Sequence, residues 1–308
     1  MQRLASQKFP ARRSRHSTSC HRPNIMSAVA VIQRPTRPLL RWHGGKWILA
    51  PWIIGHFPPH RVYVEPFGGA GSVLIRKPRT YAEIWNDLDG HVVNLFRVLR
   101  SDRAEELVRA LRLTPFAHDE FREAYEPCDD PVEKARRLCI RSFMGFGSNG
   151  HNRSTGFRSN SNRSGTTPAH DWVNYPDSLS RVVERLQGVV ILNRDACEVM
   201  AGHDGPETLH YVDPPYVFET RADLAKDYAH ELTDDDHLRL LAFLTTLKGM
   251  VVLSGYPSDL YDDALPGWTR VERKALADGA RERTEVLWIS PASATHGRDL
   301  FTTTGEAS

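Results

Sequence analysis

The sequence predicts an α/β fold, a mainly parallel, doubly wound sheet interrupted by one long, mostly helical insertion, and three observations carry that prediction. Short apolar, β-branched runs alternate with stretches of helical periodicity, the order that parallel strands joined by crossover helices require. A glycine-rich segment, Gly68-Gly69-Ala70-Gly71, follows the first such run, where a strand end turns into a helix. The spacing then breaks once, leaving about a hundred residues between the second and third runs, far beyond an ordinary crossover.

In chain order, Lys46 to His56 reads as a helix and Arg61 to Val64 as the first strand, a short β-branched run ending just before the glycines. Gly71 to Arg76 opens the next helix, Tyr81 to Trp85 is the second strand, and Gly90 to Leu99 is the helix after it. Ser101 to Leu113 and Pro131 to Met144 begin the insertion as helices, and Asp171 to Gln187 ends it as another. Val189 to Asn193, His210 to Asp213 and Met250 to Ser254 are apolar runs of strand length. Thr233 to Leu247 and Ser258 to Ala264 are helical, and Thr269 to Glu272 and Thr284 to Ile289 are the last strands. The sheet domain accordingly comprises residues 37–100 and 188–295 and the insertion residues 101–187, with a basic, disordered extension over 1–36 and a flexible tail over 296–308.

The 308 residues are 40% hydrophobic and 25% charged, which excludes collagen-like, wholly disordered and coiled-coil chains. No apolar run approaches the roughly 20 residues of a membrane span. The net charge of +2 conceals a strong asymmetry. The first acid is Glu65, and eleven lysines and arginines precede it; an acid-free stretch from Lys134 to His170 carries seven more. Two basic islands on an acidic body are a way of meeting phosphate backbones. Cys20, Cys128, Cys139 and Cys197 lie far apart without C-x-x-C or histidine partners, so free thiols in a reducing cytosol are expected, and no metal site. The Arg/Ser-rich start lacks the hydrophobic stretch of a secretory signal; its composition is shared with organellar transit peptides, and Met26 fits an internal start.

Within the insertion, the run from Gly145 to Gly165 is rich in Gly, Ser, Asn and Arg and cannot bury a core of its own, so it is a long loop or flexible hairpin. Arg141, Asn149, Arg153, Arg158 and Arg163 are the candidate DNA contacts there, arginine and asparagine being suited to phosphates and base edges.

Two motifs carry the chemistry. In Glu65-Pro66-Phe67-Gly68-Gly69-Ala70-Gly71 the glycines permit close backbone approach to a ligand, but Leu74 stands where the dinucleotide fingerprint needs its third small residue. Asp87, ending the second strand, suits ribose hydroxyls, so a nucleoside without a diphosphate fits both features. In Asp213-Pro214-Pro215-Tyr216 the prolines fix the chain, so that Asp213 and the Pro214 carbonyl present two rigid acceptors, the number an amino group with two hydrogens needs. Tyr216 adds an aromatic face on which a base can stack.

Trp42-His43-Gly44-Gly45-Lys46, the Glu65 to Gly71 segment, Asn86-Asp87 and Asp213-Pro214-Pro215-Tyr216, in that order, resemble the Dam-type (D12 class) DNA adenine-N6 methyltransferases, over nearly the whole chain after Pro38. The resemblance implies a Rossmann-like methyltransferase sheet with an antiparallel last strand, S-adenosyl-L-methionine as cofactor, duplex DNA as partner and the insertion as target-recognition domain. It implies that Trp42, Gly45 and Lys46 lie at the methionine end of the cofactor, Lys46 facing its carboxylate. Glu65, Phe67, Gly68, Gly69 and Gly71 would border the same ligand, Asp87 the ribose and Asp195 the adenine, although one acid after a strand is also an ordinary helix cap. His43 departs from the small residue often found there and is expected as a surface imidazole.

The implied chemistry is in-line methyl transfer to the amino nitrogen of a flipped adenine, with Asp213, Pro214, Pro215 and Tyr216 as the catalytic motif and no metal. Cytosine-N4 methylation needs the same two acceptors and is the alternative within the class; a non-catalytic DNA-binding module is the alternative outside it, against which Asp213 and Lys46 speak. The setting is cytoplasmic, at the nucleoid, with or without a partner restriction endonuclease.

Overall fold

The computed structural model describes residues 34–147, 155–159, 165–217, 231–276 and 282–293. Among them seven strands form one sheet: β1 (Val62–Glu65), β2 (Ala82–Asn86), β3 (Val189–Leu192), β4 (Thr208–Val212), β5 (Met250–Gly255), β6 (Thr269–Leu276) and β7 (Glu282–Ile289). Their order is β3-β2-β1-β4-β5-β7-β6, parallel through β5, with β7 antiparallel to both its neighbours. The expected antiparallel last strand is therefore β7, inserted between β5 and β6.

Side-chain alternation assigns each strand to two cores. Tyr63, Trp85, Leu209, Tyr211 and Val252 belong to one cluster, and Val64, Ile84, Val212, Val251 and Leu253 to the other. With both faces of the sheet covered, β4 and β5 are buried throughout, and Thr208, His210 and Ser254 are buried polar exceptions in otherwise apolar strands. The first core is closed by α1 (Ala50–Ile54), α2 (Ser72–Arg76) and α3 (Gly90–Leu99), the second by α9 (Ala196–Gly202), α10 (Asp234–Leu244) and α11 (Asp259–Ala264). α10 starts on a reciprocal capping box between Thr233 and Asp236.

The insertion contains α4 (Ala104–Leu113), α5 (His118–Glu123), α6 (Pro131–Met144), α7 (Pro168–Val173) and α8 (Tyr175–Arg185). Leu107, Phe121, Leu138, Trp172 and Leu179 from these helices join the same core as Tyr63 and Trp85, so the insertion is built onto the first face of the sheet. Two sequence expectations are revised here. The single helix from Asp171 to Gln187 is two, split around Asn174, with Pro176 in the first turn of α8, where its missing N–H costs nothing. The helix from Lys46 to His56 shrinks to α1, because Lys46 leaves the helix to enter the cleft described below. Helices α5 and α9, each a turn or two long, were not expected.

A buried charge cluster ties α8 to β2. Arg185 donates to both carboxylate oxygens of Glu83, at 2.6 and 2.9 Å, and to the Leu74 carbonyl at 2.6 Å. Lys77 reaches Glu83 Oε1 at 2.6 Å. Among the described residues no helix is long and apolar enough to cross a membrane.

Candidate active site

The strand order reverses between β1 and β4, since β2 and β3 lie on one side of that pair and β5 on the other. A crevice opens at the carboxyl ends of strands at such a point, and here it is a cleft open to solvent. Its walls are the 42–46 segment, the Glu65 to Val73 turn, Asp87, and Asp213-Pro214-Pro215.

The glycines of the turn are required by packing as much as by ligand access. A Cβ on Gly68 would lie 1.9 Å from Trp85 Nε1, and Trp85 is pinned by stacking on Phe96 at 3.8 Å. Gly69 and Gly71 have φ of 47° and 65°, the left-handed region that side chains disfavour. Gly71 precedes α2 beneath the turn, against Phe96, rather than lining the cleft. Asp87 holds the turn in place: its Oδ2 accepts the Gly69 N–H at 2.7 Å and its Oδ1 the Asp89 N–H at 2.8 Å. A carboxylate oxygen can accept two hydrogen bonds, so these ties are compatible with a hydroxyl donor as well.

Glu65, at the end of β1, is buried at the base of the cleft, where its Oε2 accepts the Tyr63 hydroxyl at 2.7 Å and the Leu74 N–H at 2.9 Å. Burial pushes its carboxyl from 4.5 up to about 8, partly offset by the Tyr63 hydrogen bond, while the Asp213 charge adds to the rise. An acid whose folded value is raised favours folding most below its unfolded value and loses that contribution as pH rises through the folded one. Glu65→Gln is therefore expected to flatten the fall in stability between pH 4.5 and 8 by a few kcal/mol, read by urea unfolding across that range. Parallel curves for the two proteins would contradict the shift.

Lys46 is buried with its Nζ 3.1 Å from Asp213 Oδ2 and 2.7 Å from the Gly44 carbonyl, and 4.7 Å from the centre of the Tyr216 ring. Asp213 Oδ1 accepts the Ser254 hydroxyl at 2.7 Å, and Ser254 Oγ lies 3.1 Å from the Tyr211 hydroxyl. Ser254, Tyr211 and Tyr63 are site residues that sequence reasoning missed; all three lie on strands whose alternation reads only as core.

The structure places three further candidates as follows. Tyr216 is 4% exposed and does not line the cleft; its ring is covered by Lys46 and, edge-on, by Tyr256 at 4.5 Å. Asp195 caps α9, accepting the Cys197 and Glu198 N–H groups at 2.9 and 3.1 Å, and its neighbour Ala196 faces the cleft instead. His43 is half-buried, in the cleft wall. Trp42, Gly45, Phe67, Pro214 and Pro215 line the cleft.

Of the candidate DNA contacts, Arg141 is half-buried over the Tyr125 ring at 5.6 Å, with burial lowering its pKa. Arg158 lies 3.8 Å from Asp171, its side chain 14% exposed. Neither offers an open guanidinium, Arg141 lying on Tyr125 and Arg158 beside Asp171. Asn149, Arg153 and Arg163 lie outside the described residues. Among the described residues no cluster of three His, Cys, Asp or Glu is arranged to hold a metal. Cys139 is buried, its thiol pushed up to about 12 by that burial.

A family model for D12 class N6 adenine-specific DNA methyltransferases matches residues 42–277. The DNA adenine methylase of Escherichia coli (strain K12) is 31% identical over 109 residues, 33% of this chain and 38% of that protein. That of Serratia marcescens is 33% identical over 111 residues, covering 33% and 40%. The DNA adenine methylase of Vibrio cholerae serotype O1 is 26% identical over 218 residues, 66% of this chain and 74% of that protein. The chain thus spans about two fifths of the length of the first two relatives.

Proposed function

Because the chain belongs to the D12 class of N6 adenine-specific DNA methyltransferases, we propose that it transfers a methyl group from S-adenosyl-L-methionine to the N6 amino group of an adenine flipped out of duplex DNA. The observation that carries this reading is the convergence on one cleft of Asp213-Pro214-Pro215, Lys46, Glu65 and Asp87 at a strand-order reversal.

The residue set fits the cofactor's chemistry. Asp87 has acceptor oxygens for a ribose diol, Lys46 a cation for a carboxylate, and Glu65 a carboxyl whose ionised form an approaching ammonium would favour. Phe67 and Trp42 supply apolar wall. When bound, the cofactor supplies an electrophilic methyl on a sulfonium centre.

The protein's part is to prepare the nucleophile. The adenine amino group is a poor one, since its lone pair is delocalised into the ring. Asp213 and the Pro214 carbonyl accept its two hydrogens and concentrate electron density on nitrogen. Ser254 holds Asp213 Oδ1, leaving Oδ2, now 3.1 Å from Lys46, as the oxygen that exchanges partners. A fixed carboxylate beside nitrogen as it becomes cationic is preorganised electrostatic stabilisation, with no reorganisation at the moment of reaction.

In this reading residues 101–187 are the target-recognition insertion on a sheet domain of residues 37–100 and 188–295, and the enzyme works in the cytoplasm at the nucleoid. Duplex DNA is its partner; a restriction endonuclease is compatible with that role and not required. Arg153→Gln with Arg163→Gln is expected to weaken DNA binding and to reduce the slope of log K against log salt by about 2, at roughly 0.9 for each phosphate no longer neutralised. An unchanged slope would take the loop off the DNA.

The test is incubation of the purified protein with tritiated cofactor and duplex DNA, followed by nucleoside mass spectrometry. Label in N6-methyldeoxyadenosine is expected; label in N4-methyldeoxycytidine, or none, would overturn the reading.

A further inference from the structure

Tyr216 follows two prolines that fix the backbone as far as residue 215 but leave its own side-chain torsions free. Its ring is buried, and a buried hydroxyl needs a partner. That partner comes from β7, two strands over from β4: the Tyr216 hydroxyl donates to Glu285 Oε2 at 2.9 Å, across 69 residues of sequence. Glu285 is on β7, followed by Val286, Leu287 and Trp288, all buried, and is itself 8% exposed. A carboxyl is an expensive group at such a position, and burial pushes its pKa up. Lys46 counteracts that rise, whereas Asp213 adds to it, so the three charged groups sense one another.

We propose that Glu285 is a positioning residue for the reaction: by accepting the Tyr216 hydroxyl it fixes the tilt of the Tyr216 ring, and with it the surface beside Asp213 on which Lys46 rests. The proposal rests on the methyl-transfer reading of the cleft. Three of the contacts among the described residues bear on the ring. Glu285 holds its hydroxyl, Tyr256 meets it edge-on at 4.5 Å and 75°, and Lys46 Nζ lies 4.7 Å from its centre. Packing against Tyr256 opposes sliding of the ring, and the hydroxyl tie opposes its rotation away from Asp213. The same Lys46 Nζ is 3.1 Å from Asp213 Oδ2, so a change in ring tilt is passed to the acceptor oxygen through one side chain.

The test compares Glu285→Ala, Glu285→Gln, Tyr216→Phe and the Ala/Phe double variant in single-turnover methylation at saturating cofactor and DNA, with thermal unfolding to fix the folded fraction. Glu285→Ala is expected to slow the step by about 10²-fold, the scale of a misplaced reacting group, with cofactor affinity within about threefold. Glu285→Gln keeps an amide oxygen as acceptor and is expected to recover to within about fivefold of the unaltered rate. The double variant is expected to be no slower than the slower single one, because both remove the same tie. A second readout is independent of turnover. With 3-fluorotyrosine incorporated, the ¹⁹F resonance that Tyr216→Phe removes is expected to shift or broaden in Glu285→Ala and to stay in place in Glu285→Gln. An unaltered single-turnover rate in folded Glu285→Ala, or an unmoved Tyr216 resonance, would overturn the proposal. Absence of methylation by the unaltered chain would instead overturn the methyl-transfer reading, and the ¹⁹F comparison would still decide whether Glu285 orients Tyr216.

Discussion

Asp213→Ala is expected to reduce methyl transfer by at least about 10³-fold, the upper range for removing one preorganised group that meets developing charge. The reason is positional. Asp213 leaves the end of β4 into a turn stiffened by Pro214 and Pro215, and its two oxygens are sorted by neighbours, Ser254 on Oδ1 and Lys46 on Oδ2. Alanine removes the acceptor while leaving the Pro214 carbonyl, so one of the two amino hydrogens loses its partner and the nitrogen stays planar. The binding surface for the cofactor is otherwise intact, and Lys46 keeps its hydrogen bond to the Gly44 carbonyl. Cofactor affinity by calorimetry is accordingly expected to remain within about tenfold, so the loss falls in the chemical step. Full turnover in a tritiated-methyl assay would remove Asp213 from the mechanism.

Glu83→Leu is expected to produce the largest loss of stability, about 3–5 kcal/mol, the cost of stranding buried charge. Lys77 and Arg185 both converge on this carboxylate, with side-chain exposures of 1% and 6%. Burial alone would raise the Glu83 carboxyl, but hydrogen bonds and charge from Arg185 and Lys77 outweigh it and hold the group below its ordinary 4.5. A lowered folded value means that the contribution is present above pH 4.5 and is lost as pH falls through the folded value. The difference between the two proteins in urea unfolding should therefore be full at pH 7 and shrink on acidification. Equal midpoints at pH 7 would show that the cluster contributes no net stability. Because Arg185 also donates to the Leu74 carbonyl, and the Leu74 N–H donates to Glu65, this cluster braces the residue that anchors the base of the cleft.

Strands were legible in the sequence because β1, β2, β4 and β5 are short runs rich in β-branched, aromatic and aliphatic residues that end at chemically distinctive residues: Glu65, Asn86-Asp87, Asp213 and Gly255. The cleft followed from them, since residues at strand ends converge wherever strand order reverses. Other features were not legible, each for a physical reason. Helix α9 is seven residues long, too short for a periodic signal, so its cap Asp195 read equally well as a ligand contact. The tie between Tyr216 and Glu285 depends on a β5–β7 pairing that local pattern does not specify. The burial of Tyr216 by Lys46 depends on the 42–46 segment folding back over the cleft, which no local spacing encodes. Arg141 and Arg158 contributed correctly to the count of basic residues, but charge alone does not separate a guanidinium facing solvent from one laid on Tyr125 or beside Asp171.

The central claim, methylation of the adenine amino group governed by Asp213, is tested most directly by methylation-sensitive sequencing of DNA from cells expressing either the unaltered chain or Asp213→Ala. The account predicts N6-methyladenine in a defined sequence context with the first and its absence with the second. N4-methylcytosine, no modification with the unaltered chain, or equal adenine methylation with both would contradict it.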